Sequence, residues 1–363
     1  MLSERKILTI IGARPQFIKA ALVSKAFRDA KNIKEVVVHT GQHFEYSMSQ
    51  SFFEELGLDE PKYFLGINSL SRDVMSRQMA ERISEIIKKE QPKIVLLYGD
   101  TNSTYAGALA AKNFDLAIAH VEAGVRSFDE AMPEELNRMF VDSVSDYLFA
   151  PSERALEYLE ENYLNGWKIF TGDIMKDAAM HFADQAICPK NLPEGRFVLA
   201  TMHRASNTND EEVLREIIAA LNEIHIQTPL VLPLHPRTRI ALNKFNIKCD
   251  FHCLPPVSYF EMLYLLKNTE LVITDSGGLQ KEAYYFKKPC VILRKNTEWP
   301  ELVDTGAASL CEVLSKEDIL EQYRKMKTNK IDFDKIHLYG DGDAAEIIVQ
   351  NFDAYLDVVT EPY

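Results

Sequence analysis

KILTIIGARPQFIK, residues 6–19, decides the fold class. Residues 7–11 form an apolar run of strand length, interrupted only by Thr9, and a strand covered on both faces reads as such a run rather than as an alternation. Gly12 then permits a tight turn. Pro15 suits the first turn of a helix, where its missing N–H would have had no partner. A helical pattern follows over 15–30. A strand feeding directly into a helix is half of a βαβ unit, and such units build parallel sheets.

Outward from that stretch the alternation continues. Strands are expected at 35–39, 93–98, 116–121, 147–150 and 168–170, and helices at 48–56, 72–89, 104–112, 132–144 and 152–163. After a helical stretch at 175–186 and a loop at 188–195, the pattern restarts. Strands are expected at 197–202, 230–234, 251–254, 271–274 and 290–293, and helices at 210–224, 258–267 and 279–286. The expected fold class is α/β, with two Rossmann-like domains facing across a cleft. One domain takes residues 1–172, with the final helix 344–363 packing back on it; the other takes 173–343. Ligands of open parallel sheets bind outside the carboxyl ends of the strands, so polar clusters just after strands are the candidate site.

Composition narrows the function classes. The 363 residues suffice for about two domains. Lys and Arg total 41 against 54 Asp and Glu, a formal net charge of −13. An acidic surface repels phosphate backbones, which disfavours nucleic acid as a partner. No segment approaches the roughly 20 apolar residues of a membrane span, and the 7–11 run is too short and too soon interrupted for a signal peptide. The five cysteines, 188, 249, 253, 290 and 311, contain no CxxC pair. They read as reduced, mostly buried thiols of a cytoplasmic protein. No metal-ligand spacing is present, and neither a Walker A string nor a GxGxxG, so no metal and no cofactor are expected.

Three groups of residues carry chemistry. The first is cationic: Arg14 over a helix start, the pair His203 and Arg204 after the strand at 197–202, and His235 with Arg237 after the next strand. These suit an anion. The second is TDSGGLQKE, residues 274–282, where Gly277 and Gly278 let backbone N–H groups approach a phosphate at a helix N-terminus. Ser276 is a natural N-cap there, and Glu282, about one turn in, can accept from a ribose diol. The third group is Asp100, Glu122 and Glu134, all at the tops of one expected sheet. Crowded carboxylates suit general acid–base work. Glu134 and Arg138, four apart, share a helix face. Asp341-Gly342-Asp343 imitates a metal-holding DxD string but reads as a turn that caps the last helix.

Together GARPQFIK (12–19), GDTNST (99–104), HVEAGVRS (120–127), MPEELNR (132–138), MHR (202–204), TDSGGLQKEA (274–283) and YGDG (339–342) resemble the UDP-N-acetylglucosamine 2-epimerase family. The resemblance implies a glycosyltransferase-B-like architecture, a UDP-sugar partner, inversion at C2 and a homodimer. By motif, it places acid–base roles on Asp100, Glu122 and Glu134, and diphosphate contacts on Arg14, His203 and the Ser276-Gly277-Gly278 turn. It places a ribose contact on Glu282 and puts Lys19 and Arg138 in the site. Gln42, His43 and Arg77 match an allosteric pocket of bacterial members, although residues 68–73, NSLSRD, depart from the Gly-rich stretch usual there. UDP-GlcNAc to UDP-ManNAc is the leading expectation as the family's commonest reaction. TGDIMKD (171–177) and LHPRTR (234–239) look more like the branch acting on UDP-2,3-diacetamido-glucuronic acid. A hydrolysing 2-epimerase and a UDP-sugar glycosyltransferase are the further alternatives.

Overall fold

A computed structural model describes residues 5–30, 33–42, 53–68, 71–162 and 164–360, the side chains of 353–360 excepted. The chain divides into two compact units, Met1–Ala178 with Leu338–Tyr363, and Ala179–His337.

The first unit is built on β1 (Lys6–Ile11), β2 (Lys34–His39), β3 (Tyr63–Phe64), β4 (Ile94–Tyr98), β5 (Ala117–Val121), β6 (Tyr147–Ala150) and β7 (Trp167–Phe170). All pairings are parallel, in the order β3-β2-β1-β4-β5-β6-β7. The apolar run that opened the sequence reading is the reason: Ile7, Leu8, Ile10 and Ile11 are all inaccessible to solvent, as a strand covered on both faces must be. Helix Arg72–Glu90 covers one face with the stripe Met75, Met79, Ile83, Ile86 and Ile87, three and four residues apart. Helix Ala344–Thr360 returns to this unit, where Phe352 meets Phe27 and Phe149 at ring distances of 5.8 and 5.7 Å.

The second unit repeats the plan with β8 (Val198–Thr201), β9 (Leu230–Pro233), β10 (His252–Leu254), β11 (Leu271–Thr274), β12 (Cys290–Ile292) and β13 (Ala308–Leu310), in the order β10-β9-β8-β11-β12-β13. Leu214, Ile217, Ile218, Leu221 and Ile224 of helix Glu211–Gln227 line its core.

Strand order reverses once in each sheet, between β1 and β4 and between β8 and β11. The crevice beyond the carboxyl ends of such a strand pair is where open α/β sheets take ligands. Gly12 and Asp100 follow the first pair, and His203 and Asp275 follow the second.

Several elements lack a legible pattern. β3 and β13 are short edge strands, and helix Pro236–Lys244 is too polar to announce a buried face. Helix Gly277–Tyr285 begins two residues earlier than the 279 expected, because Ser276 caps it despite two glycines of poor helix propensity. Residues 53–56 of the expected helix 48–56 are helical; 48–52 lie outside the described residues. The cysteine reading needs correction. Only Cys290 and Cys311 are buried, Cys188 and Cys253 are exposed and Cys249 lies between, because a hydrophobic residue type in a loop or an edge strand has no core to enter. Among the described residues no helix is long and apolar enough to cross a membrane.

Candidate active site

The turn after β1 is clamped to the turn after β4 by Gln16. Its Oε1 accepts from the N–H groups of Gly12 and Ala13 at 2.8 and 3.1 Å. Its Nε2 donates to the Tyr98 carbonyl and to the hydroxyls of Thr101 and Thr104 at 2.8, 3.0 and 3.0 Å. A Cβ on Gly12 would lie 2.0 Å from Thr40 Oγ1 and 2.3 Å from Ser103 Oγ, so only glycine lets these turns close. Thr101 caps helix Asn102–Lys112 reciprocally with Thr104. Gln42 Oε1 accepts from the N–H and hydroxyl of Ser103 at 3.0 and 2.8 Å. It thereby braces that helix start.

Two carboxylates converge at this end of the sheet, each beside a cation. Lys19 Nζ lies 2.8 Å from Glu122 Oε2, with both side chains mostly buried. Arg138 pairs through Nη2 with Asp100, and through Nη1 with Glu135 at 3.0 Å. The two pairs are neighbours: the position a Gly99 Cβ would occupy is 3.5 Å from both Glu122 Oε1 and Lys19 Nζ. Glu122 has φ of 75°. A non-glycine residue there stores strain, which recurs at functional positions.

Beneath them lies a buried brace that the sequence reading missed. Asp142 is inaccessible; it pairs with His120 Nδ1 at 2.7 Å and Arg126 Nη2 at 2.7 Å, and accepts from Gly124 N at 3.0 Å. Burial pushes its carboxyl up, but the hydrogen bonds and charges of His120 and Arg126 outweigh that and hold it below the usual range. His120 Nε2 donates to the Gly99 carbonyl at 2.7 Å, which links the brace to the turn that carries Asp100. His120 and Arg126 stand in the HVEAGVRS motif, and that spacing is the one signal that could have flagged them.

The structure corrects one pairing. Arg138 pairs with Glu135 and Asp100 and not with Glu134, because Glu135 turns inward to accept from Ser127 N and Oγ at 2.9 Å each. Glu134, in the first turn of helix Pro133–Val144, is exposed. Arg14, the first residue of helix Arg14–Ala30, is half-buried. Arg77 is exposed midway along its helix, and His43 lies outside the described residues.

In the second unit Asp275 is the hub. Fully buried, it accepts from His203 N, Arg204 N at 2.8 Å and Asn207 Nδ2 at 3.2 Å, and its Oδ1 lies 3.2 Å from His203 Nδ1. Arg204 reaches the Asp275 carbonyl through Nε and Glu298 through Nη2. Burial raises the Glu298 carboxyl, but the bonds and charge of Arg294, with Arg204, overcome it and bring its pKa to about 2. The half-buried His203 ring stands 5.4 Å from that of His235. Burial, His203 and Arg237 together lower the His235 pKa, and its Nδ1 is spent accepting from Arg237 N.

Ser276 caps helix Gly277–Tyr285 by accepting from Leu279 N at 3.4 Å. Gly278 has open space where a Cβ would stand, and a Cβ on Gly277 would lie 3.4 Å from Glu298 Oε2. Gly278 leaves one side of the helix start exposed, while Glu298 borders the Gly277 side. Glu282 is buried one turn on. The DxD reading needs a correction: the N–H of Ala345 at the last helix is taken not by the 341–343 turn but by Asp177 Oδ2 at 3.0 Å, a carboxylate from helix Ile174–Phe182. Among the described residues no group of three or more His, Cys, Asp or Glu is disposed to hold a metal ion.

The profile of the family described as UDP-N-acetylglucosamine 2-epimerase matches residues 25–353. The chain belongs to that family. Among its relatives, a UDP-2,3-diacetamido-2,3-dideoxy-D-glucuronate 2-epimerase of Pseudomonas aeruginosa is 48% identical over 95% of this chain and 98% of its own. A UDP-N-acetylglucosamine 2-epimerase of Methanococcus maripaludis is 38% identical over 95% of this chain and 97% of its own. The crystal structure of the Methanocaldococcus jannaschii UDP-GlcNAc 2-epimerase in complex with UDP-GlcNAc and UDP superposes with a TM-score of 0.84. It is 36% identical and covers 96% of this chain and 99% of that one. Membership makes this chain a UDP-sugar 2-epimerase of glycosyltransferase-B-like fold.

Proposed function

We propose that this enzyme inverts C2 of a UDP-activated amino sugar by eliminating UDP and adding it back. The observation that carries the reading is the pair of neighbouring ion pairs, Lys19 with Glu122 and Arg138 with Asp100, at the strand-order reversal of the first unit.

C2 of such a sugar has no adjacent carbonyl, so its proton is poorly acidic. Breaking the C1–O bond to UDP first develops positive charge at C1 and the ring oxygen, and the C2 proton then becomes removable. One carboxylate takes that proton and a C1=C2 double bond forms. A second acid returns a proton to the opposite face as UDP oxygen re-bonds to C1, so the net change is inversion. Asp100, Glu122 and the exposed Glu134 are the candidates for these proton transfers. Arg14, His203 and the helix start after Ser276 stabilise the departing diphosphate, with Glu282 on the ribose. Arg204 and His235 serve less directly, since Arg204 is tied to Asp275 and Glu298 and His235 caps its own helix. The reading includes a homodimer, a cytoplasmic setting and no cofactor.

Of the two sugars, UDP-2,3-diacetamido-glucuronate is the better supported. The relative named for it is 48% identical, against 38% for the UDP-GlcNAc enzyme of Methanococcus maripaludis, and residues 171–177 and 234–239 have that branch's look. UDP-GlcNAc, expected first as the family's commonest substrate, is the second reading. Incubation with each UDP-sugar in deuterated buffer, followed by NMR, tests both. The expected product is the C2 epimer carrying deuterium at C2 from the uronate; absence of C2 exchange on every UDP-amino sugar overturns the reaction.

A further inference from the structure

A uronate differs from its neutral counterpart by one negative charge at C6, and a protein that selects it needs a cation not already neutralised. Around the paired carboxylates of the first unit most of the cationic charge is committed: Lys19 to Glu122, Arg126 to Asp142, Arg138 to Asp100 and Glu135. Arg72 differs. Half-buried at the start of helix Arg72–Glu90, it donates from Nη2 to two neutral oxygens, Asn137 Oδ1 at 2.8 Å and the Pro133 carbonyl at 3.1 Å. Among the described residues no carboxylate pairs with it. Asn137 in turn donates from Nδ2 to the Asp100 carbonyl at 2.8 Å. The guanidinium is therefore anchored one side chain away from a proposed acid–base residue, with its charge uncompensated and its Nε and Nη1 donors unspent. Nε and Nη1 lie on opposite edges of the guanidinium, so each offers a single charge-assisted hydrogen bond to a carboxylate.

We propose that Arg72 is the specificity-determining residue of this enzyme, pairing with the C6 carboxylate of a uronate sugar while Asn137 holds it in register with Asp100. The proposal rests on the uronate reading above. The C6 group does not react, so the contact is equally strong in ground and transition states and acts on KM rather than on kcat.

The test compares the wild type with Arg72→Gln and Arg72→Lys on two substrates, UDP-2,3-diacetamido-glucuronate and the UDP-2,3-diacetamido-glucose that carries CH2OH at C6. Thermal unfolding is followed for each variant. For Arg72→Gln the expected result is a KM for the uronate raised about 10- to 100-fold with kcat nearly retained. The preference for uronate over neutral sugar collapses by the same factor. Arg72→Lys restores part of it, as a charge without the guanidinium's anchorage to Asn137 and Pro133. Equal losses on both sugars, or a fall in kcat, assign Arg72 a positioning role through Asn137 and overturn the proposal; so does an unchanged preference. A wild type that epimerises UDP-GlcNAc but not the uronate overturns the substrate reading first, and this inference with it.

Discussion

The two units use carboxylates in opposite ways at equivalent places in their sheets. In the first, Asp100 stands at the strand-order reversal and Glu122 just after the neighbouring β5, beside one cation each, and Asp100 keeps 22% of its side-chain surface open. In the second, Asp275 occupies the equivalent turn but is inaccessible, its oxygens filled by donors from the backbone and from Asn207. Glu298 is likewise enclosed by Arg294 and Arg204. An accessible carboxylate can exchange a proton with a ligand. An enclosed one aims its neighbours, here the His203–Arg204 turn and the start of helix Gly277–Tyr285. Under the proposed function, one sheet plan yields a surface for proton transfer in one unit and a surface for holding an anion in the other.

The sharpest way to break that contrast is to remove one of the two cation-paired carboxylates of the first unit. Glu122→Gln is expected to lower turnover by about 10²–10⁴, read as deuterium entry at C2, while UDP binding measured by calorimetry stays within about threefold. Equal losses in both readouts would erase the division of labour. Next comes the enclosed hub. Asp275→Ala strands the His203 and Arg204 N–H groups and Asn207, and loss of a buried hydrogen-bonded charge costs about 3–5 kcal/mol of stability. UDP affinity is expected to fall about 10- to 100-fold alongside a lower denaturation midpoint; intact UDP binding in a destabilised variant would deny Asp275 its aiming role.

The smallest effect concerns a carboxylate that is enclosed without being satisfied. Asp177 is buried, accepts from Ala345 N and faces Asp173 and Asp343. Burial and those two acids outweigh the N–H and raise its pKa from 3.8 to about 7. The fold therefore binds a proton that the unfolded chain has released across that interval. Its stabilising contribution is complete below about pH 4 and is lost as pH rises to about 7. Asp177→Asn keeps an acceptor for Ala345 without the charge. Thermal melts from pH 5 to 8 are expected to show a flatter profile and a higher midpoint at pH 8 than wild type; an unchanged slope would place the pH dependence elsewhere.

The alternation of apolar runs with amphipathic stretches made both sheets legible, because strands such as Ile7–Ile11 must be apolar on both faces wherever helices cover them. Short edge elements, β3 and β13, were not legible, since two or three residues are too few to show a period. Among the candidate site residues, Asp100, Glu122, His203 and Ser276 stand in motifs placed just after strands, and Arg138 in a motif that opens a helix. Arg72, Gln16, His120, Asp142 and Asp275 escaped notice as functional groups. Each acts through contacts with residues far along the chain, and nothing local distinguishes such a side chain from an ordinary helix or turn residue.

Linear order alone determined the strand–helix rhythm, the glycine turns and the family motifs, because those depend on local sterics and on the period of burial. Only tertiary structure decided which carboxylates remain open and which are consumed. It chose Glu135 over Glu134 as the partner of Arg138, and among the described residues it left Arg72 without a carboxylate partner. Charge neutralisation depends on distance through space, and residues 72, 100 and 138 become neighbours only when parallel strands bring their ends together.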